Sequence, residues 1–268
     1  MNGTVAGKFS LKGRRAIVTG GAGHLGRVFG ETLVELGAHV VLVDRDAESL
    51  AAAAAAVEAG GRGSVECYRC DLESEDERRT LAAALGGAAQ EVSVLVHNAA
   101  FVGTSGLEGW AVSIDSQSLA TWRRALEVNL TAVFHLTQGL LPALRRVPGA
   151  SIVNVASIYG MLGPDWSLYE GTAMANPAAY AASKGGLLQL TRWLATTLAP
   201  TVRVNAIVPG GIARGQPAPF VARYEARTPL ARMATEDDFR GVAAFLASDA
   251  SAYVTGQAIA IDGGWGAW

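Results

Sequence analysis

Short runs that are apolar at almost every position and rich in β-branched residues recur along the chain, at residues 16–19, 40–43, 65–68, 92–96, 151–155, 202–208 and 258–261. Such runs fit strands buried on both faces, as in a parallel sheet covered by helices. Between them, residues 24–36, 47–59, 75–84, 118–144, 178–198 and 236–247 carry the longer apolar period of helices. Strand and helix alternate from end to end, with no repeat or linker between them. The pattern predicts an α/β fold: a doubly wound parallel sheet of about seven strands, flanked by helices on both faces, in one domain over residues 1–268.

The alanine run at 51–56 resembles low complexity, but alanine is the best helix former and Asp46 stands where an N-cap would, so an ordinary helix is expected. Three stretches lack a clear period: 99–117, 158–176 and 210–219. Each follows the C-terminal end of a predicted strand, the edge at which open parallel sheets bind ligands.

Half of the 268 residues are hydrophobic, enough for one large core. The formal net charge is −2 with both signs interspersed, which argues against nucleic acid or an anionic membrane as partner and leaves a small-molecule substrate. Residues 1–11 lack the apolar run of a signal peptide and no later segment is apolar for long enough to span a bilayer, so a cytoplasmic protein is expected. Cys67 and Cys70 form a CxxC at a predicted strand with no second cysteine pair for zinc. Two reduced structural thiols are expected there and no metal, with a redox motif as the alternative.

Chemistry enters at Thr19-Gly20-Gly21-Ala22-Gly23-His24-Leu25-Gly26, which closes the first strand and opens the first helix. Glycines there permit a tight turn and close approach of backbone to a pyrophosphate resting on the helix N-terminus, so the segment predicts dinucleotide binding. Asp44, eighteen residues beyond Gly26, ends the second strand. A carboxylate there accepts from adenosine ribose hydroxyls and repels a 2'-phosphate, which favours NAD over NADP, although Arg45 beside it would suit that phosphate. Tyr180 and Lys184 stand four residues apart on one predicted helix face. An ammonium beside a phenol lowers its pKa and makes it an acid–base group near neutral pH; a half-buried tyrosine beside a solvated lysine is the plainer reading.

Together these motifs resemble the short-chain dehydrogenase/reductase family along the whole chain. Its glycine turn, Thr-Gly-x-x-x-Gly-x-Gly, is matched at Thr19, Gly20 and Gly26, with His24 in place of the middle glycine and Gly23 beside it. Cys70-Asp71-Leu72 is similar to the family's adenine contact, and His97-Asn98-Ala99-Ala100 to its Asn-Asn-Ala-Gly, retaining Asn98 and Ala99. Val153-Asn154-Val155-Ala156-Ser157 matches the strand that delivers its serine, and Asn129 its helix asparagine. After the sixth strand, Pro209, Gly210 and Ile212 match its nicotinamide turn, while Arg214 replaces its threonine. The resemblance implies a Rossmann-type fold and hydride transfer between a nicotinamide cofactor and a secondary alcohol or ketone. Tyr180 would be acid and base, and Ser157 would steady the substrate oxygen. Lys184 would lower the phenol pKa and bind nicotinamide ribose, and Asn129 would hold a water linking Lys184 to solvent. Arg214 reads either as a cation facing a substrate anion or as a solvated loop arginine.

Ser157 and Tyr180 lie twenty-three residues apart, more than is usual in the family, and the added segment is rich in aromatics and acids. It reads either as a substrate cover suited to a sugar or polyol, with Asp165 and Glu170 as hydroxyl acceptors, or as a loop packed on its own aromatics or on a neighbouring subunit. It also resembles a subgroup associated with flagellin-modification and surface-sugar pathways. The last helix and strand resemble family elements that pack across two-fold axes, which implies a homotetramer with Trp265 and Trp268 at or near a contact. Two other functions remain open at this level: a nucleotide-sensing protein without turnover, and a dehydratase or epimerase that retains its cofactor.

Overall fold

The computed structural model describes residues 3–59, 61–87, 89–102 and 105–268. Seven strands form one parallel sheet: β1 (Arg15–Thr19), β2 (His39–Asp44), β3 (Ser64–Arg69), β4 (Val94–His97), β5 (Ala150–Val155), β6 (Val202–Pro209) and β7 (Ala258–Ile261). Their order across the sheet is β3-β2-β1-β4-β5-β6-β7. Strands β4, β5 and β6 are buried at every position, which is why they read as largely apolar runs; the polar residues among them, His97, Ser151, Asn154, Arg203 and Asn205, are hydrogen-bonded inside. The edge strand β3 is exposed or half-buried throughout and alternates polar with apolar residues.

The helices are α1 (Val5–Phe9), α2 (His24–Glu35), α3 (Ala47–Glu58), α4 (Glu75–Gly86), α5 (Leu119–Leu126), α6 (Ala132–Arg145), α7 (Ala178–Leu198), α8 (Ala218–Arg227) and α9 (Arg240–Ala247). Phe29 and Leu33 of α2 pack with Leu50 of α3 and Leu246 of α9 on one side of the sheet. On the other side Leu81 of α4, Leu136 and Leu140 of α6 and Leu194 of α7 pack together. Each such side chain, fully buried, contributes roughly 1.5–3 kcal/mol.

Local signals set the boundaries. Asp46, Ser74 and Ser118 cap α3, α4 and α5 with side-chain oxygens. Helix α2 ends at Gly37 (φ 94°), where Gly37 N donates to Val34 O at 2.9 Å and Ala38 N to Leu33 O at 3.0 Å, turning the chain straight into β2.

The structure departs from the sequence pattern in several places. Residues 118–144 are not one helix: α5 and α6 are joined by a wider π turn, Glu127–Thr131. Strand β4 starts at Val94, because Val92 N donates to Ala143 O at the end of α6. The last helix is preceded by a 3₁₀ turn, Glu236–Phe239, closed by a Thr235–Asp238 capping box. Helices α1 and α8 have no counterpart among the expected elements. Trp265 also departs from expectation: it is 2% exposed, stacked on Tyr224 at 5.9 Å and covered by Arg227 at 4.6 Å, so its apolar area is buried within the chain. Trp268 is 75% exposed. No described helix is long and apolar enough to cross a membrane. Both thiols are free, Cys67 exposed and Cys70 buried.

Candidate active site

The strand order reverses between β1 and β4, and the crevice at their C-terminal ends is where ligands of such sheets bind. The turn after β1 is shaped by contacts that forbid side chains. Gly20 has φ 65°, and a Cβ on it would meet Ala99 Cα at 2.8 Å; one on Gly26 would meet Gly20 O at 1.9 Å. Asn98 fastens the opposite lip, donating through Nδ2 to Gly20 O at 3.0 Å and Thr19 O at 3.2 Å. Gly23, with no side chain to offer, stands at the N-cap of α2, so the first-turn N–H groups of that helix face the crevice without a capping oxygen.

A cavity of about 1000 Å³ extends from this turn. At one end stands Asp44, whose Oδ2 accepts from Ala22 N at 3.0 Å and whose Oδ1 accepts from Arg45 N at 2.8 Å. Arg45 lies over the Phe101 ring, 5.9 Å from its centroid. Asp71 and Leu72 line the same end, with Asp71 Oδ1 accepting from Glu73 N at 3.0 Å. Gly20, Gly23, His24 and Leu25 line the middle, facing Asn98 and Ala99. Pro209, Gly210 and Ile212 form the wall beyond β6. Gly26 is not on the wall; its close fit to Gly20 holds the turn from behind.

Ser157, Tyr180 and Lys184 converge at the other end of the cavity. Ser157 follows β5 and accepts from Tyr159 N at 3.2 Å, opening the 3₁₀ turn Ile158–Gly160. Gly160 lets that turn approach α7, since a Cβ there would lie 2.7 Å from the Lys184 carbonyl carbon and oxygen. Tyr180 and Lys184 share one face of α7. Burial raises the Tyr180 phenol; the Ser157 hydroxyl and the Arg214 charge pull the other way without overcoming it. Lys184 is 3% exposed, donates from Nζ to Val155 O at 2.6 Å, and is pulled down to about 7 by burial. The expected lowering of the phenol by Lys184 is therefore not what this geometry gives. The amine is aimed at the β5 carbonyl, 5.8 Å from the tyrosine ring centre, and loses part of its own charge to burial.

Asn129 is absent from the cavity wall. The π turn places its side chain behind the wall, with Oδ1 accepting from Phe101 N at 2.7 Å and Nδ2 donating to Phe101 O and Ser183 Oγ at 3.1 Å. That side chain forms a bracket between the post-β4 loop and α7.

The segment between Ser157 and Tyr180 divides in two. Residues 165–170 pack on α8: Asp165 pairs with Arg227 at 2.7 Å, Arg223 donates to Glu170 O at 2.5 Å, and Tyr169 packs on Phe220 at 5.5 Å. Asp165 is thereby committed to an arginine rather than offered to a sugar hydroxyl. Tyr159 and Asn176 face the cavity instead, and Tyr169 does both, its phenol oxygen 2.7 Å from that of Tyr159. The sequence pattern gives no sign of Asn176 and Gln216, which line the cavity, or of Glu236, which pairs with the wall residue Arg214 at 3.0 Å. The signal for α8 was present in Pro217 followed by Phe220, Val221 and Tyr224 at helical spacing. Among the described residues no cluster of His, Cys, Asp and Glu has the makings of a metal site.

A family model described as enoyl-(acyl carrier protein) reductase matches residues 21–266. The chain is 36% identical to a rhamnolipids biosynthesis 3-oxoacyl-[acyl-carrier-protein] reductase of Pseudomonas aeruginosa, covering 96% of this chain and 98% of that one. It is 35% identical to a cis-4-hydroxycyclohexanecarboxylate dehydrogenase of Sinomonas cyclohexanicum, covering 94% and 96%. Its fold matches a gluconate 5-dehydrogenase from Burkholderia cenocepacia in complex with NADP and tartrate, at TM-score 0.85 and 26% identity over 99% and 100% of the two chains. The glycine turn, the Tyr180–Lys184 helix, the seven-stranded parallel sheet and these likenesses agree: the chain belongs to the short-chain dehydrogenase/reductase family and is an oxidoreductase like its relatives named dehydrogenases and reductases.

Proposed function

We propose that this protein interconverts a secondary alcohol and a ketone with Tyr180 as acid and base, NAD as preferred cofactor and a hydroxylated small molecule as substrate. One observation carries the reading: Ser157, Tyr180 and Lys184 meet in the cavity that the glycine turn and Asp44 open into.

The residues fit a dinucleotide. The turn bars side chains at Gly20 and Gly26 and leaves the α2 N–H groups for a pyrophosphate. Asp44 keeps lone pairs for ribose hydroxyls beyond its two backbone bonds. Its negative charge disfavours a 2'-phosphate, and Arg45 is drawn over Phe101. Against NAD stands the NADP carried by the Burkholderia relative. When bound, the nicotinamide supplies or accepts the hydride.

Tyr180 gives its proton to the substrate oxygen in reduction and takes one in oxidation, while Ser157 donates to that oxygen as charge develops. Lys184, titrating near 7, exchanges protons at neutral pH and offers donors to the nicotinamide ribose. Asn129 keeps the Phe101 loop and α7 in register.

The test is absorbance of reduced cofactor with NAD or NADP over a panel of sugars, polyols and hydroxy acids. Equal or better use of NADP would remove the reading of Asp44. We further infer a homotetramer, supported by Leu119, Phe134 and Trp193 standing exposed on α5, α6 and α7. A monomeric mass by light scattering would overturn it. The two free thiols fit the cytoplasm as its compartment.

A further inference from the structure

Arg214, one of the positions at which this sequence leaves the family pattern, is anchored on a carboxylate. Arg214 Nε donates to Glu236 Oε1 at 3.0 Å. Burial acts to raise the Glu236 carboxyl, yet its backbone hydrogen bond, Arg214 and the charge of His24 together hold it below its ordinary value. The loop beneath is braced, with Arg214 N donating to Gln216 Oε1 and Gln216 Nε2 to Ile212 O, both at 2.7 Å. Arg214 is 34% exposed, and among the described residues its two terminal nitrogens have no protein partner. A guanidinium anchored through Nε presents those nitrogens as a fork, the geometry that receives an oxyanion in two parallel bonds.

Arg214 lines the cavity together with Tyr180, and its charge pulls the phenol pKa downward. The cation is therefore felt at the reacting end as well as near the α2 N-terminus. An oxyanion there comes from one of two sources, the cofactor pyrophosphate or a carboxylate on the substrate. Its place on the cavity wall with Ser157 and Tyr180 favours the substrate, and so do two relatives: one is named for a hydroxycyclohexanecarboxylate, the other holds tartrate.

We propose that Arg214 reads a carboxylate on the substrate, so that hydroxy acids and the matching oxo acids, rather than neutral polyols, are the substrate class of this cavity. This rests on the oxidoreductase reading above. In the oxidative direction the carbinol carbon gives its hydride to NAD⁺, the hydroxyl proton passes to Tyr180 in its phenolate form, and the carboxylate stays intact.

The experiment compares acid and neutral pairs, D-gluconate with sorbitol and cis-4-hydroxycyclohexanecarboxylate with cyclohexanol. Binding to the protein–NADH complex is measured by calorimetry for wild type, Arg214→Met and Arg214→Lys, alongside the Kd for NADH by fluorescence and turnover. The expected result is that wild type binds at least one acid more tightly than its neutral partner. Arg214→Met should then weaken acid binding roughly 10- to 100-fold, and Arg214→Lys should restore part of it, with NADH affinity unchanged. A weaker NADH Kd with the acid preference intact would assign Arg214 to the pyrophosphate and overturn the proposal. No acid preference in wild type, or no change in Arg214→Met, would also overturn it. Acid binding that depends on Arg214 without any Tyr180-dependent turnover would leave the carboxylate site standing and refute the oxidoreductase reading instead.

Discussion

His97 closes β4 directly before Asn98, and its burial makes a prediction about stability that needs no substrate. The ring is 3% exposed, with Nε2 3.0 Å from Thr137 Oγ1. Burial pulls its pKa from 6.5 down to about 3. In the unfolded chain the imidazole takes up its proton near 6.5, so below that pH the unfolded state binds the extra proton and acid favours unfolding. The stabilisation is present above about 6.5 and is lost progressively as pH falls toward about 3. At pH 5, about 1.5 units below the unfolded pKa, the loss from this residue is about 2 kcal/mol. His97→Asn removes the titrating ring and keeps a polar group toward Thr137. Urea unfolding of both proteins at pH 7, 6 and 5, at equal protein concentration, is the assay. The variant should be less stable at pH 7, because ring contacts are lost, yet should lose about 2 kcal/mol less than wild type between pH 7 and 5. Parallel pH profiles would refute the reasoning.

Two further substitutions probe how the site is held. Gly160→Ala places a Cβ 2.7 Å from the Lys184 carbonyl, so the Ser157 turn must move by roughly 0.7–1 Å to reach ordinary contact. In steady-state assays kcat/KM should fall about 100-fold with little change in nucleotide Kd, and full activity would show that the approach of turn and helix is not needed. Asn129→Ala removes three buried hydrogen bonds and strands the Phe101 N–H and C=O. Chemical denaturation should show a loss of about 2–4 kcal/mol, and a loss below about 0.5 kcal/mol would contradict the bracket role.

Much of this was legible in the sequence because burial leaves a local trace. Strands β4 to β6 are largely apolar because both faces are covered, and Gly20 and Gly26 mark a turn where a Cβ has nowhere to go. Other features depend on partners distant in sequence. The side-chain period runs unbroken through Glu127–Thr131, so the π turn that sends Asn129 behind the wall was hidden. Asp165 reads as an acceptor until Arg227, sixty-two residues on, takes it. The sign of the Tyr180 shift was missed for a similar reason: spacing shows that Lys184 is near, but not that Val155 O holds its amine or that burial outweighs its neighbours. Trp265 reads as a surface anchor until Tyr224 and Arg227 of the unforeseen α8 close over it.

The central claim is that Tyr180 moves the proton in a nicotinamide-dependent reaction. The direct measurement is reduced-cofactor absorbance for wild type and Tyr180→Phe on the best substrate of the panel, with the NADH Kd of each measured in parallel. Tyr180→Phe should keep its NADH affinity and lose roughly 100- to 10,000-fold in kcat/KM. Turnover that survives the substitution unchanged would contradict the account.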